Sequence, residues 1–142
     1  MAVFHKIKKA WKFPLTFKLL VLEVLILSAI IRFVLLFYPF KRILLFLKKK
    51  EPNQVSHLPK KASQIGYFVD RVCPHTPWKS ACLVQAIVGK IMLQRRKIQS
   101  TVFLGVAKNK QDELKAHAWL KSDNTYLTGY REMNDYTTIA HF

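Results

Sequence analysis

The apolar residues of this chain change their spacing near residue 100, and that change constrains the fold more than any other feature of the sequence. Before it, apolar residues recur every three or four positions or run continuously, which is typical of helices. After it they alternate with polar residues in four short segments: 101–107, 116–121, 125–128 and 136–142. Such alternation is typical of strands with one buried face. Helices followed by antiparallel strands indicate an α+β fold, with N-terminal helices and then a small antiparallel sheet.

Four helices are expected ahead of the strands: 14–38, 40–49, 62–72 and 80–96. The first must stop before Pro39, because a residue that precedes proline resists helical geometry. Ser80 is expected to cap the N–H groups of the last helix, which places Cys82 in its first turn. Ser122-Asp123-Asn124 is expected to form the hairpin turn between the second and third strands.

The length of 142 residues suits one domain with a real hydrophobic core. Prolines and polar residues between the second and third helices indicate a linker. The predicted organisation is a single domain in three parts: an N-terminal helical region at 1–50, a linker at 51–61 and a core at 62–142.

Residues 19–38 form an apolar stretch that is nearly long enough to cross a membrane. Glu23 and Arg32 interrupt it, whereas a spanning helix needs about 18 or more apolar residues with few charges. Basic residues flank both ends, so they give no orientation signal. We expect a helix that packs on the domain or touches a membrane surface, in a protein that is cytoplasmic or peripheral at the inner face of the membrane. A true span is the less favoured alternative.

The net charge of +16, from 24 basic and 8 acidic residues, implies attraction to nucleic acid, an anionic membrane or an acidic peptide. Nucleic acid is disfavoured, because the strands lack the alternation of aromatic and basic residues that stacks bases. No cysteine or histidine spacing typical of a metal site occurs, and the four glycines form no phosphate-binding loop. We therefore expect no metal and no cofactor.

Cys82 begins the last helix, and His117 lies 35 residues later in a predicted strand. Taken alone, each is more often structural, since a buried helical cysteine usually acts as a small hydrophobe. Together they match the layout of a nucleophile and its base, because a helix N-terminus and a nearby imidazole both favour the reactive thiolate. Cys73 is expected to be inert, and His75 is a weaker candidate for the base.

A third group should orient the imidazole of His117, and the hairpin register decides which. With a two-residue turn, Tyr130 lies opposite His117 and Glu132 lies diagonally on the same face, which makes Glu132 the best acidic candidate. With a three-residue turn, Gly129 lies opposite. Asp123 is less favoured, because it lies about 20 Å along the strand from His117. A backbone or hydroxyl group as the orienting partner is an equal alternative.

Five segments in the second half of the chain carry a family resemblance: PWKSACLVQA, LQRRKIQSTVFLGVAK, AHAWLK, YLTG and YTTIAHF. In this order they resemble the transglutaminase-like leader peptidase of lasso-peptide biosynthesis, the B protein, in its split form that carries only the protease half. The resemblance implies a papain/transglutaminase-like cysteine-protease fold for the core at 62–142, with Cys82 as nucleophile and His117 as base. Many members carry an aspartate at the position that matches Gly129, so this chain departs from the family at the third catalytic residue.

The same resemblance implies a bacterial thiol protease that removes the leader from a ribosomally made lasso precursor. Its implied partners are the precursor peptide, a separate leader-recognition protein and an ATP-using lasso cyclase. We expect no recognition domain in a chain of this length, which agrees with a partner supplied in trans. In the implied mechanism the Cys82 thiolate attacks the scissile carbonyl, His117 protonates the leaving amine, and water hydrolyses the acyl-enzyme.

Two other functions stay open. One is an acyl transferase or deamidase that uses the same thiol and imidazole. The other is a non-catalytic basic module that docks on membranes or nucleic acid through residues 1–50, whose binding should weaken steeply with salt.

Overall fold

Helices occupy the first part of the chain and strands the last, as the change in spacing predicts. The computed structural model describes residues 14–49 and 57–142. The helices are α1 (Leu15–Phe37), α2 (Phe40–Lys49), α3 (Pro59–Val72) and α4 (Cys82–Arg95), with a short 3₁₀ helix at Cys73–His75. The strands are β1 (Thr101–Lys108), β2 (Leu114–Ser122), β3 (Thr125–Thr128) and β4 (Thr137–His141), with a 3₁₀ helix at Tyr130–Asp135. The predicted α+β fold is confirmed.

The helix boundaries follow the prolines closely. α1 ends at Phe37, because Tyr38 before Pro39 adopts an extended conformation. α3 begins at Pro59, which suits the first helical position, since the missing N–H of proline has no partner there anyway. The last three residues of the expected linker are therefore helical. Residues 51–56 of that linker, and residues 1–13 and 50 of the N-terminal region, lie outside the described residues.

The sheet has the order β3-β2-β1-β4, with every neighbouring pair antiparallel. β1 and β2 pair without interruption, from Thr101 opposite Lys121 to Lys108 opposite Leu114. β2 and β3 are joined by a tight turn in which Asp123 takes a positive φ of 49°. Because β3 and β4 lie at opposite edges, the 3₁₀ helix at Tyr130–Asp135 carries the chain from one edge to the other.

The main core lies between α4 and one face of the sheet. Ala118 and Leu120 of β2 are buried there with Ile87 and Val88 of α4. The helix approaches so closely that a Cβ on Gly89 would lie 2.5 Å from Leu120 Cδ2, which explains a glycine in mid-helix at this point. α4 is buried on almost every side, as its apolar sequence predicts.

α1 is attached to the rest of the chain by polar contacts as well as packing. Val24, Ser28 and Ile31 are its buried residues. The Glu23 carboxylate accepts hydrogen bonds from Arg95, the last residue of α4, at 3.0 Å and from Arg96, the next residue, at 2.7 Å. By length and composition α1 could cross a membrane, yet only 17% of its apolar window is buried within the structure. It is therefore neither a typical core helix nor a separate segment.

Candidate active site

Cys82 lies in the first turn of α4, as the sequence predicts, but the helix begins at Cys82 itself and the residue at the cap position is not the predicted one. The residue at the cap position is Ala81, in an extended conformation, and no side chain caps the helix. The Ser80 hydroxyl instead lies 2.8 Å from Thr76 Oγ1, and the Ser80 carbonyl accepts a hydrogen bond from Gln85 Nε2 at 3.0 Å. The prediction of Ser80 as the cap is wrong, because a local partner engages its hydroxyl. The N–H groups at the start of α4 thus stay available to a negative charge beside Cys82.

The loop before Cys82 is held in place by hydrogen bonds. Thr76 Oγ1 lies 2.8 Å from the Cys73 carbonyl and 2.9 Å from the Trp78 carbonyl, in addition to its contact with Ser80. Trp78 Nε1 donates to Ser28 Oγ of α1 at 3.2 Å. Since the loop is tied at both places, the thiol of Cys82 sits on a supported turn, as a nucleophile requires.

Cys73 has surroundings that suppress reactivity. It lies at the end of α3 with 1% of its surface exposed. Burial and the negative charge of Asp70 raise the pKa of the Cys73 thiol, a hydrogen bond with Ser80 opposes them, and the pKa rises from 9.0 to about 11. Cys73 and Cys82 are both free thiols. Within the described ranges 14–49 and 57–142, no group of three or more histidine, cysteine or acidic residues could hold a metal ion.

His117 is held between aromatic rings. It lies half-buried in β2 opposite Gly105, and its ring stacks on Tyr136 at 4.9 Å and on Trp119 at 6.1 Å between centroids. Its Nε2 donates to the Gly129 carbonyl at 2.7 Å. A carbonyl can only accept, so Nε2 carries the hydrogen, and Nδ1 is the nitrogen of the neutral ring that can take a proton.

Gly129 is the residue that orients His117, and no other amino acid fits its place. It follows β3 in the left-handed region, with φ at 69°. A Cβ there would lie 2.3 Å from the Ala118 carbonyl oxygen, far inside contact distance. An aspartate at this position would therefore collide with β2. The backbone oxygen of Gly129 makes the contact with the imidazole instead.

The other candidates for the third group lie away from His117. β3 ends at Thr128, after an irregularity in its pairing with β2, so the predicted pairing of Tyr130 with His117 is wrong. Glu132 is exposed in the 3₁₀ helix at Tyr130–Asp135. Asp123 is also exposed and lies 3.2 Å from His57 Nδ1. In the part of the chain that the structure describes, neither carboxylate makes a hydrogen bond to His117.

Cys82 and His117 lie at about the same level along the pair formed by α4 and β2. Gly89 of α4 lies against Leu120 of β2. Lys90 donates to the carbonyl of Ser100, which precedes Thr101, the partner of Lys121 near the C-terminal end of β2. The C-terminal part of α4 therefore lies near that end of β2, and Cys82 lies towards the N-terminal end. From the contact of Gly89 with Leu120, Cys82 is seven residues back along the helix and His117 is three residues back along the strand, and each distance is about 10 Å.

The two groups nevertheless lie on opposite sides of β2. Ala118 and Leu120 face α4, and His117 and Trp119 project from the other face because side chains alternate along a strand. Across residues 14–49 and 57–142, no hydrogen bond joins the Cys82 thiol to His117. His117 lies three residues along β2 from the last β2–β3 pair, Leu120 with Thr128, so no residue of β3 pairs with it, and the Gly129 carbonyl contacts its ring instead.

The sequence left the group that orients His117 undecided and gave no sign of Tyr136. The Gly129 carbonyl was one of several alternatives and left only one signal, a glycine directly after a strand. Tyr136, whose ring covers His117, left none, because the 3₁₀ helix between β3 and β4 brings it there.

Comparison with protein families gives one match. A family model described as Transglutaminase-like superfamily matches residues 25–141, which include both Cys82 and His117. Comparison with the curated proteins and with the solved structures gave no match.

Proposed function

Since this chain belongs to the transglutaminase-like superfamily, whose members are generally cysteine proteases or transferases, we propose that it is a cysteine peptidase that removes the leader from a lasso-peptide precursor. The observation that carries the proposal is the hydrogen bond from His117 Nε2 to the Gly129 carbonyl. It leaves Nδ1 as the nitrogen of the neutral ring that can take a proton. The resemblance of the five sequence segments to the split B protein supplies the substrate class.

The proposed reaction uses three features of the site. The Cys82 thiolate attacks the scissile carbonyl, and the N–H groups at the start of α4 stabilise the oxyanion. His117 protonates the leaving amine and then activates the water that hydrolyses the acyl-enzyme. Since Cys82 and His117 lie on opposite sides of β2, the step requires a rearrangement that releases His117 from the Gly129 carbonyl and brings its imidazole to the thiol. Because catalytic contacts often tighten only when substrate is bound, we propose that the peptide completes the pair.

The partners in this proposal follow the resemblance. The precursor peptide carries an N-terminal leader, a separate leader-recognition protein delivers it, and a lasso cyclase uses the released core. The reaction is proposed to take place in the cytoplasm. The strongly basic surface, with a net charge of +16, supports association with acidic segments of such partners.

The test is incubation of the purified chain with a lasso precursor peptide and its leader-recognition protein, with mass spectrometry of the products. We expect one cleavage between leader and core. The Cys82→Ala variant should leave the precursor intact, and the matched Cys73→Ala variant should cleave it. An intact precursor with the wild-type chain, or a fully active Cys82→Ala variant, would contradict the proposal.

Acyl transfer or deamidation is the second candidate function. It is favoured by the family match over residues 25–141, because the superfamily includes transferases that would use the same thiol and imidazole. The same mass spectra separate the reactions, since a cross-linked or deamidated product differs in mass from two cleavage fragments.

A further inference from the structure

We propose that α1, together with α2, docks this protein on the surface of an anionic lipid membrane. The surface consists of six apolar residues on the side of α1 away from the core, which we call the outward face: Leu15, Leu19, Leu22, Ile26, Phe33 and Phe37. The proposal does not depend on the peptidase reaction.

The outward face is a continuous apolar stripe. With about 100° per residue, its six side chains point within about 60° of one another and opposite to the buried residues Val24, Ser28 and Ile31. Each of the six is between 51% and 70% exposed. A helix of 23 residues is about 34 Å long. Single exposed apolar residues scattered over a surface do not form a continuous stripe of that length. Such a face is typical of an interaction site.

The charge around the outward face favours lipid over another copy of this chain. α2 follows directly after Pro39 and exposes Leu45 beside Lys41 and Lys48. The chain carries a net charge of +16, so two copies repel each other, whereas an anionic membrane attracts both. Apolar side chains with lysines beside them are the arrangement by which helices bind in the plane of a membrane.

The contacts of α1 indicate that it lies on the membrane and does not cross it. Glu23 receives hydrogen bonds from Arg95 and Arg96, and Ser28 accepts one from Trp78. A spanning α1 would lose all of these partners and would bury the Glu23 carboxylate in hydrocarbon, which is strongly unfavourable. Docked by its outward face, the helix keeps every one of these contacts.

The experiment is flotation of the full chain with vesicles of phosphatidylcholine containing phosphatidylglycerol, and with vesicles of phosphatidylcholine alone. We expect binding to the anionic vesicles that weakens with salt. The variant Leu19→Gln/Ile26→Gln should reduce binding about tenfold or more. The matched control is Leu114→Gln/Ile139→Gln, which makes the same substitutions at exposed residues of the sheet and should bind like the wild type. Circular dichroism establishes that each variant is folded.

A second pair of variants tests the charge. Lys41→Gln/Lys48→Gln should weaken vesicle binding about tenfold. Lys110→Gln/Lys115→Gln removes the same charge from the turn between β1 and β2 and from the start of β2, and it should change vesicle binding little. Equal binding of the Leu19→Gln/Ile26→Gln variant, or no vesicle binding at all, would overturn the proposal. So would a dimer in light scattering that the Leu19→Gln/Ile26→Gln change dissolves. Resistance of the bound protein to an alkaline carbonate wash would show a spanning helix and also overturn it.

Discussion

The end of α3 and the start of α4 each hold one cysteine, and the two thiols differ in every respect that controls reactivity. Cys73 has 1% of its surface exposed, and its pKa is raised to about 11 by burial and by Asp70. Cys82 is half-buried, with uncapped helix N–H groups beside it. The eight residues between them contain the loop that Thr76 and Ser80 hold together. Because both residues are cysteines, their positions at the helix ends, and not the residue type, decide which thiol can be a nucleophile.

The largest difference between the two regions should appear in cleavage of a lasso precursor. Cys82→Ala removes the proposed nucleophile, so the rate should fall at least about a thousandfold. Cys73→Ala removes a thiol that stays protonated at neutral pH, and the rate should change less than about threefold. The measurement is product formation by mass spectrometry. Equal losses of cleavage rate in both variants would contradict the assignment of Cys82 as the nucleophile.

The next effect concerns the base that the Cys82 region needs. His117→Ala should lower the cleavage rate about a hundredfold or more, because a general acid–base group typically contributes that much. His141→Ala is the matched control, since His141 lies near the same sheet face, with its ring 6.0 Å from that of Phe103. It should retain most activity.

Glu132→Gln sharpens the same test. With His117 oriented by the Gly129 carbonyl, loss of this exposed carboxylate should have little effect on the rate. A loss as large as that of His117→Ala would instead make Glu132 the third catalytic residue, as the sequence-based register suggests.

The support of His117 should also be visible in stability. The Cβ of the Gly129→Ala variant would lie 2.3 Å from the Ala118 oxygen, and the positive φ at this position disfavours side chains. We expect the free energy of unfolding to fall by about 2–3 kcal/mol. Urea denaturation measures it. A variant as stable as the wild type would show that the glycine is not required there.

The smallest expected effect is a pH dependence from the Cys73 region. Because the folded state raises the pKa of this thiol, it binds the proton more tightly than the unfolded chain does. The stabilisation this provides is full below pH 9 and is lost as the pH rises through about 11. Relative to Cys73→Ala, the wild type should lose about 1–2 kcal/mol over that range in urea denaturation. A difference independent of pH would contradict the assignment.

The fold could be predicted from the sequence because its signals are local. Each signal determines the structure of adjacent residues: Pro39 ends α1, the alternation in 116–121 gives a strand, and the apolar run after Cys82 gives a buried helix. The site could be predicted only in part. The alternation shows that His117 and Trp119 share a face, but which face α4 covers depends on the contact of Gly89 with Leu120. The irregular pairing at Leu120 and Lys121, which ends β3 early, leaves no pattern in the side chains.

The most direct test is whether the imidazole of His117 acts on the Cys82 thiol when the precursor peptide is bound. The measurement is the rate at which iodoacetamide alkylates Cys82 at pH 7 with the precursor peptide bound, followed by peptide mapping, in the wild type and in His117→Ala. The account predicts that Cys82 reacts at least about tenfold faster in the wild type, while Cys73 is unmodified in both. Equal rates of Cys82 alkylation in the two proteins would contradict it.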